Sequence, residues 1–134
     1  MAELLEKVAA TTTTNVAVTT TTETVAISSG PVKVPYATCR VAIKAWCQLT
    51  TGTATTTVAT RIRRGTAITG TLVGEANVED VKVAAGLREP FFIMTSEDRA
   101  NVDSVEYSLT VEQASASADG TIVQASIEVE ILNG

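Results

Sequence analysis

Histidine is absent from this chain of 134 residues. That removes Ser-His and Cys-His nucleophile pairs, imidazole general bases and most transition-metal sites at once. Aromatic residues make up 4% of the sequence against 45% hydrophobic residues overall. A core must therefore be built from Val, Ile, Leu and Ala, the mixture that strands packed face to face favour. No apolar run approaches the roughly 20 residues of a membrane-spanning helix. The N-terminus, from Met1 to Lys7, lacks the basic-then-apolar layout of a secretion signal. Basic residues are outnumbered, giving a net charge of −5. A mildly acidic surface weighs against unaided binding to nucleic acid or an anionic membrane.

The two cysteines are read geometrically. Cys39 and Cys47 lie eight residues apart in one alternating stretch, hence on one face and about 26 Å apart at 3.3 Å per residue. Disulfide Cα atoms lie within about 7 Å, so two buried thiols are expected rather than a bridge.

What is present is two-residue alternation on a background in which about one residue in six is threonine. Cys39-Val41-Ile43-Ala45-Cys47-Leu49, Val105-Tyr107-Leu109-Val111 and Val123-Ala125-Ile127-Val129-Ile131 are each interleaved with polar residues. A period of two means strands with one buried and one solvated face. The spacing predicts a first short strand at Val16–Val18 and about eight after it, among Val25–Ile27, Val32–Val34, Thr38–Thr50, Thr56–Arg64, Ala67–Val73, Val78–Ala84, Phe91–Thr95, Val105–Gln113 and Thr121–Leu132. Pro35 should end a strand or mark an edge, Gly70 should mark a bulge, and Ser96–Ser104 reads as a polar loop. Glu3 to Ala10 is the only helical candidate. With Thr11 to Thr14 it suggests an N-terminal arm over 1–14, a short helix or extended, before a sandwich domain over 15–134; a frayed terminus reads equally well.

The fold class expected is all-β, an antiparallel β-sandwich of jelly-roll or immunoglobulin-like type. The immunoglobulin variant wants its cysteines on two strands with Trp between them, which this chain lacks.

Several residues invite a chemical reading. Glu97, Asp98 and Asp103 cluster with Asn101, as paired acids or calcium ligands would, but the spacing fits no calcium loop. No catalytic, cofactor or metal residues are assigned. Arg61, Arg63 and Arg64 concentrate positive charge, and pairing of Arg61 and Arg63 with glutamates on neighbouring strands or a neighbouring subunit is the expectation. Trp46 falls on the polar side of its strand. Phe92 and Met94 oppose Phe91 and Ile93, making that strand apolar on both faces. Subunit contact, or cover by a loop or the arm, explains either feature. Leu4, Leu5, Val8, Trp46, Arg61, Arg63, Phe92 and Met94 are the candidate contact residues. A sugar-binding face remains a rival, resting on the scattered Trp46, Tyr36 and Tyr107.

Three segments carry a family likeness: Thr22-Glu23-Thr24-Val25-Ala26-Ile27 leading into Ser29-Gly30-Pro31; Arg61-Ile62-Arg63-Arg64-Gly65-Thr66 with Leu72-Val73-Gly74; and Tyr107-Ser108-Leu109-Thr110-Val111 followed by Asp119-Gly120-Thr121. Over about 110 residues this layout resembles the small jelly-roll virion proteins of tailed phages, the head-decoration and head-fibre type. The resemblance implies a structural protein rather than an enzyme, with no catalytic motif. It implies a homo-oligomer, often a trimer, bound to the major capsid protein at the virion surface after synthesis in the host cytoplasm. A self-assembling shell, tail or filament subunit and a host-attachment module are the alternatives. Few Asn and Gln beside abundant Val, Ile and Thr fit a thermostable particle.

Overall fold

The computed structural model describes residues 3–18, 22–51, 56–81, 88–114 and 120–133. Nine strands run through them: β1 (Glu3–Thr12), β2 (Val16–Val18), β3 (Thr24–Ser28), β4 (Val32–Thr51), β5 (Thr56–Arg64), β6 (Thr71–Val81), β7 (Glu89–Val105), β8 (Tyr107–Gln113) and β9 (Gly120–Asn133). All pairings are antiparallel. The front sheet has the order β1-β9-β4-β7, with β2 continuing the β1 edge against β9, and the back sheet has the order β3-β8-β5-β6.

These orders follow from one long folded ribbon. The first half of the chain pairs with the second half in reverse: β5 with β6, β4 with β7, β3 with β8, and β1 and β2 with β9. The ribbon then wraps on itself, so that β4 also meets β9 and β5 also meets β8. That is jelly-roll topology, a five-stranded layer on a four-stranded one with Greek-key connections.

Alternation decides which face is buried. Val41, Ile43, Ala45, Cys47 and Leu49 of β4 meet Ile127, Val129 and Ile131 of β9 in the core, facing Ile62 of β5 and Leu109 and Val111 of β8. Among the described aromatics only Phe91 and Tyr107 join them. β-branched side chains dominate because they pack well on a pleated surface without straining their preferred rotamers.

The structure corrects several expectations. The candidate helix at Glu3–Ala10 is strand β1, paired along its length with β9 from Glu3↔Asn133 to Thr12↔Ala125. A two-turn helix would leave most of its backbone groups unpaired, whereas a docked strand bonds to the exposed edge of β9. β4 passes through Pro35 without ending. There the strand is flanked by β7 alone, since β9 begins pairing at Arg40, and the register shifts between Val34 and Thr38. Proline's missing N–H is tolerated at such an edge.

The strand expected from Ala67 begins at Thr71, and Gly70 lies in the turn at the ribbon's tip rather than in a bulge. Gly65 starts that turn with φ of 109°, the left-handed region glycine tolerates. A Cβ on Gly70 would sit 2.1 Å from the carbonyl oxygen of Arg64, so only glycine fits. The polar loop expected over Ser96–Ser104 is strand, because β7 continues from Glu89 to Val105. Glu97 finds partners on its inner face and Asp98 on its outer face. Residues 52–55, 82–87 and 115–119, where turns and the end of the Val78–Ala84 strand were expected, lie outside the described residues, as do the side chains of Tyr36, Asn101 and Asp103.

Candidate assembly surface

The outer face of the front sheet is built by register. Three cross-strand rows run over β9, β4 and β7: Gln124–Gln48–Pro90, Ser126–Trp46–Phe92 and Glu128–Lys44–Met94. Trp46 therefore sits between Ser126 and Phe92, half-buried, at the centre of the face. Phe92 is 68% exposed and Met94 79% exposed, the highest values among the exposed large hydrophobic residues described. With Trp46 they line a shallow groove of about 220 Å³ whose other wall is Lys44, Ser126 and Glu128. Exposed aromatics and methionine grouped in this way are what subunit contacts favour.

Charges beside this strip are already paired within the chain. Lys44 lies 3.2 Å from Glu128 and 4.0 Å from Glu130, and Lys7 of β1 lies 3.5 Å from Glu128. Arg40 and Asp98 form a looser pair at 3.9 Å.

Arg61 and Arg63 project from the outer face of the back sheet into a network of glutamates. Arg61 donates to Glu75 at 2.6 Å, Glu112 at 2.7 Å and Glu23 at 2.9 Å. Arg63 forks onto both oxygens of Glu23, at 2.5 and 2.9 Å, and donates to the Gly70 carbonyl at 3.0 Å. The Thr110 hydroxyl completes the Glu23 shell at 2.7 Å. Burial pulls the Glu23 pKa up, but the donors from Arg63 and Thr110 outweigh it and leave it lowered. Both guanidiniums are thus engaged with glutamates of their own chain. Glu23 and Glu112 were not singled out in the sequence, since nothing in a single strand's alternation names its cross-strand partner.

Glu97 ties the two layers together. It accepts from Arg64 of β5 through Nε at 3.1 Å and through Nη2, and from the Tyr107 hydroxyl of β8 at 2.6 Å. Burial works to raise its pKa; the Arg64 and Tyr107 hydrogen bonds and the charges of Arg64 and Arg99 prevail and lower it. The tyrosine is pushed above its ordinary value by burial and by that carboxylate. This corrects the acidic-cluster reading: Glu97 is held inside by an arginine, while its neighbour Asp98 points to the opposite face toward Arg40. Among the described residues, no three of His, Cys, Asp and Glu converge as metal ligands do.

The remaining candidates are scattered. Leu5 and Val8 pack half-buried against the core of their own chain, whereas Leu4 is exposed on the outer face, in register with Leu132. Tyr107 is fully buried and offers no ring to a sugar. Cys39 and Cys47 are buried free thiols, and burial pushes the Cys47 thiol up to about 12. What the geometry offers on the outer face of the front sheet is a contact surface.

At sequence level no protein family and no curated protein matches the chain. Its fold is similar to solved structures. The VP2 subviral particle of infectious bursal disease virus aligns with a TM-score of 0.55 at 10% identity, covering 96% of this chain and 32% of that one. The chain thus spans about a third of the viral protein's length. A Gx-strain structure of the same virus gives 0.46 at 11% identity, covering 96% and 33%. Bacillus endospore appendages, described as disulfide-linked pili, give 0.45 at 17% identity, covering 92% of this chain and 88% of theirs. The likeness to VP2 is one of fold.

Proposed function

We propose that this chain is a non-enzymatic structural subunit that works by assembling with copies of itself and with the body of a virus particle. The observation that carries the reading is the exposed Trp46–Phe92–Met94 strip on the outer face of the front sheet. Elsewhere the large side chains are mostly packed inside, and the arginines of the back sheet are neutralised by their own chain. A monomeric soluble domain gains nothing from presenting a phenylalanine and a methionine side by side to water. The likeness in fold to VP2 supports a place in a virion.

In its finer form the reading is a capsid-decorating subunit of a tailed phage, a homo-oligomer, trimeric in the family it resembles, seated on the major capsid protein at the particle surface. Native mass measurement and negative-stain microscopy of the pure protein over a range of concentrations test the core of this reading. Oligomers or ordered particles are expected. A protein that stays monomeric at millimolar concentration and does not co-sediment with capsids would overturn it.

A further inference from the structure

We propose that the outer face of the front sheet packs against the same face of a second copy about a twofold axis lying along the Ser126–Trp46–Phe92 row. This rests on the assembly reading above and specifies its contact.

The argument is the order of residues on the face. From β9 to β7 the columns run acidic or polar, then basic and aromatic, then apolar. Take a half-turn about an axis along the central row, across the strands. Each residue one row above the axis then faces the residue one row below it in the second copy. Met94 lies on Pro90, Lys44 on Gln48 and Glu128 on Gln124, while Phe92 meets Phe92 and Trp46 meets Trp46. Apolar groups face apolar groups, and each charge faces an amide rather than a like charge.

The other in-plane axis, along β4, fails this test. It would set Lys44 on Lys44 and lay Phe92 and Met94 over Ser126 and Glu128. Like charges face to face and apolar groups on a carboxylate both cost free energy. The occupant follows from the same geometry. Lys7, Lys44, Glu128 and Glu130 along the strip are paired with one another within the chain, and Arg88 at its border donates to Gln48, which leaves the strip itself for apolar contact. A surface complementary to itself by rotation is an isologous contact.

The size of the face sets the strength. Three strands about 4.8 Å apart and five same-face positions of β4 spaced about 6.7 Å give roughly 400 Å² of face per copy. A standard interface needs about 800 Å² per partner, so the pair forms weakly and reversibly. That suits a contact repeated many times in a particle.

The test uses self-opposition at residue 92. Phe92 is exposed, so Phe92→Arg and Phe92→Glu should fold, which circular dichroism and thermal melting check directly. By sedimentation equilibrium, each variant alone should lose at least tenfold in association constant, because like charges then meet across the axis. An equimolar mixture should recover association, and native mass spectrometry should find only the mixed pair. Variants that associate as the unmodified chain does would overturn the twofold face while leaving assembly intact. A mixture that stays dissociated while the unmodified chain associates would also overturn it, since residue 92 would not meet itself. Trp46, the only tryptophan, provides a second reading: its emission should shift blue as protein concentration rises. A shift produced in the monomer by neutral oligosaccharides, with none on self-association, would reassign the face to a glycan. A chain that never associates would overturn the assembly reading itself.

Discussion

Replacing Glu97 with glutamine isolates the clamp between the two layers at nearly constant shape. The carboxylate accepts two N–H groups from Arg64 and the Tyr107 hydroxyl, with side-chain exposures of 15% for Glu97 and 29% for Arg64. Hydrogen bonds to a charged group contribute about 1.5–3 kcal/mol each, and unpairing a fully buried ion pair costs about 3–5 kcal/mol. The amide oxygen of Gln keeps part of these bonds, and partial exposure screens the bare guanidinium. We therefore expect a loss of about 2–3 kcal/mol. For a domain of this size that lowers Tm by about 8–12 °C. Urea unfolding followed by circular dichroism measures it, with the midpoint moving and the slope unchanged. The pH dependence supplies a second check. A carboxyl whose pKa is lowered by folding contributes stability that is present above its unfolded value, about 4.3, and is lost as pH falls through the folded value. The gap between the native chain and Glu97→Gln should thus be full at pH 7 and shrink steadily below about pH 4. A loss under 0.5 kcal/mol at pH 7, or a gap independent of pH, would refute the clamp.

The back-sheet network should matter more than the looser front-face pair. Glu23→Gln, which strips the fork from Arg63, should cost about 2 kcal/mol, while Asp98→Asn, in a pair 57% and 67% exposed, should cost under about 0.5 kcal/mol by the same unfolding assay. Gly70→Ala drives a methyl into the Arg64 carbonyl and should destabilise by about 1–3 kcal/mol, whereas Thr69→Ala beside it should be near neutral. With its pKa at about 12 and no exposure, Cys47 should resist a thiol reagent at pH 8 until denaturant is added; rapid labelling of the folded chain would contradict its burial.

Most of the layered fold was readable because period-two alternation has a single interpretation when it is sustained. The β4 stretch shows it without interruption and delivers the inward set expected of it; in β9 Ala125, Ile127, Val129 and Ile131 do so too, but a register shift opposite Gln48 and Leu49 puts Ile122 in the core in place of the expected Val123. Where the reading went astray, partners distant in sequence decided the outcome. Glu3–Ala10 carries leucines at helical spacing, but the open edge of β9, more than a hundred residues away, pairs its backbone as strand. Ser96–Ser104 looked like a loop because its side chains are polar. Arg64 and Arg40, both distant in sequence, and Tyr107 of the following strand are what make Glu97 and Asp98 tolerable in a strand. The candidate surface was half legible. Outward placement of Trp46, Phe92 and Met94 follows from counting along each strand, but that Trp46 and Phe92 share a row depends on register. Register is fixed by long-range pairing, which a single sequence does not display.

The reversed pairing of the two chain halves makes the backbone nearly a closed circuit. Glu3 and Asn133 are direct cross-strand partners, so their Cα atoms lie about 5 Å apart, while the segment from Gly65 to Gly70 folds β5 back onto β6 midway along the chain. A short peptide joining the two ends, with a new opening cut between Thr66 and Thr69, would leave each described ladder intact. Such a permuted molecule would carry its termini where the native chain carries its bend, and because Arg64 beside that bend reaches Glu97, in the row of Val41 and Ile131, cargo fused there would leave from the same end of the sandwich as Glu3.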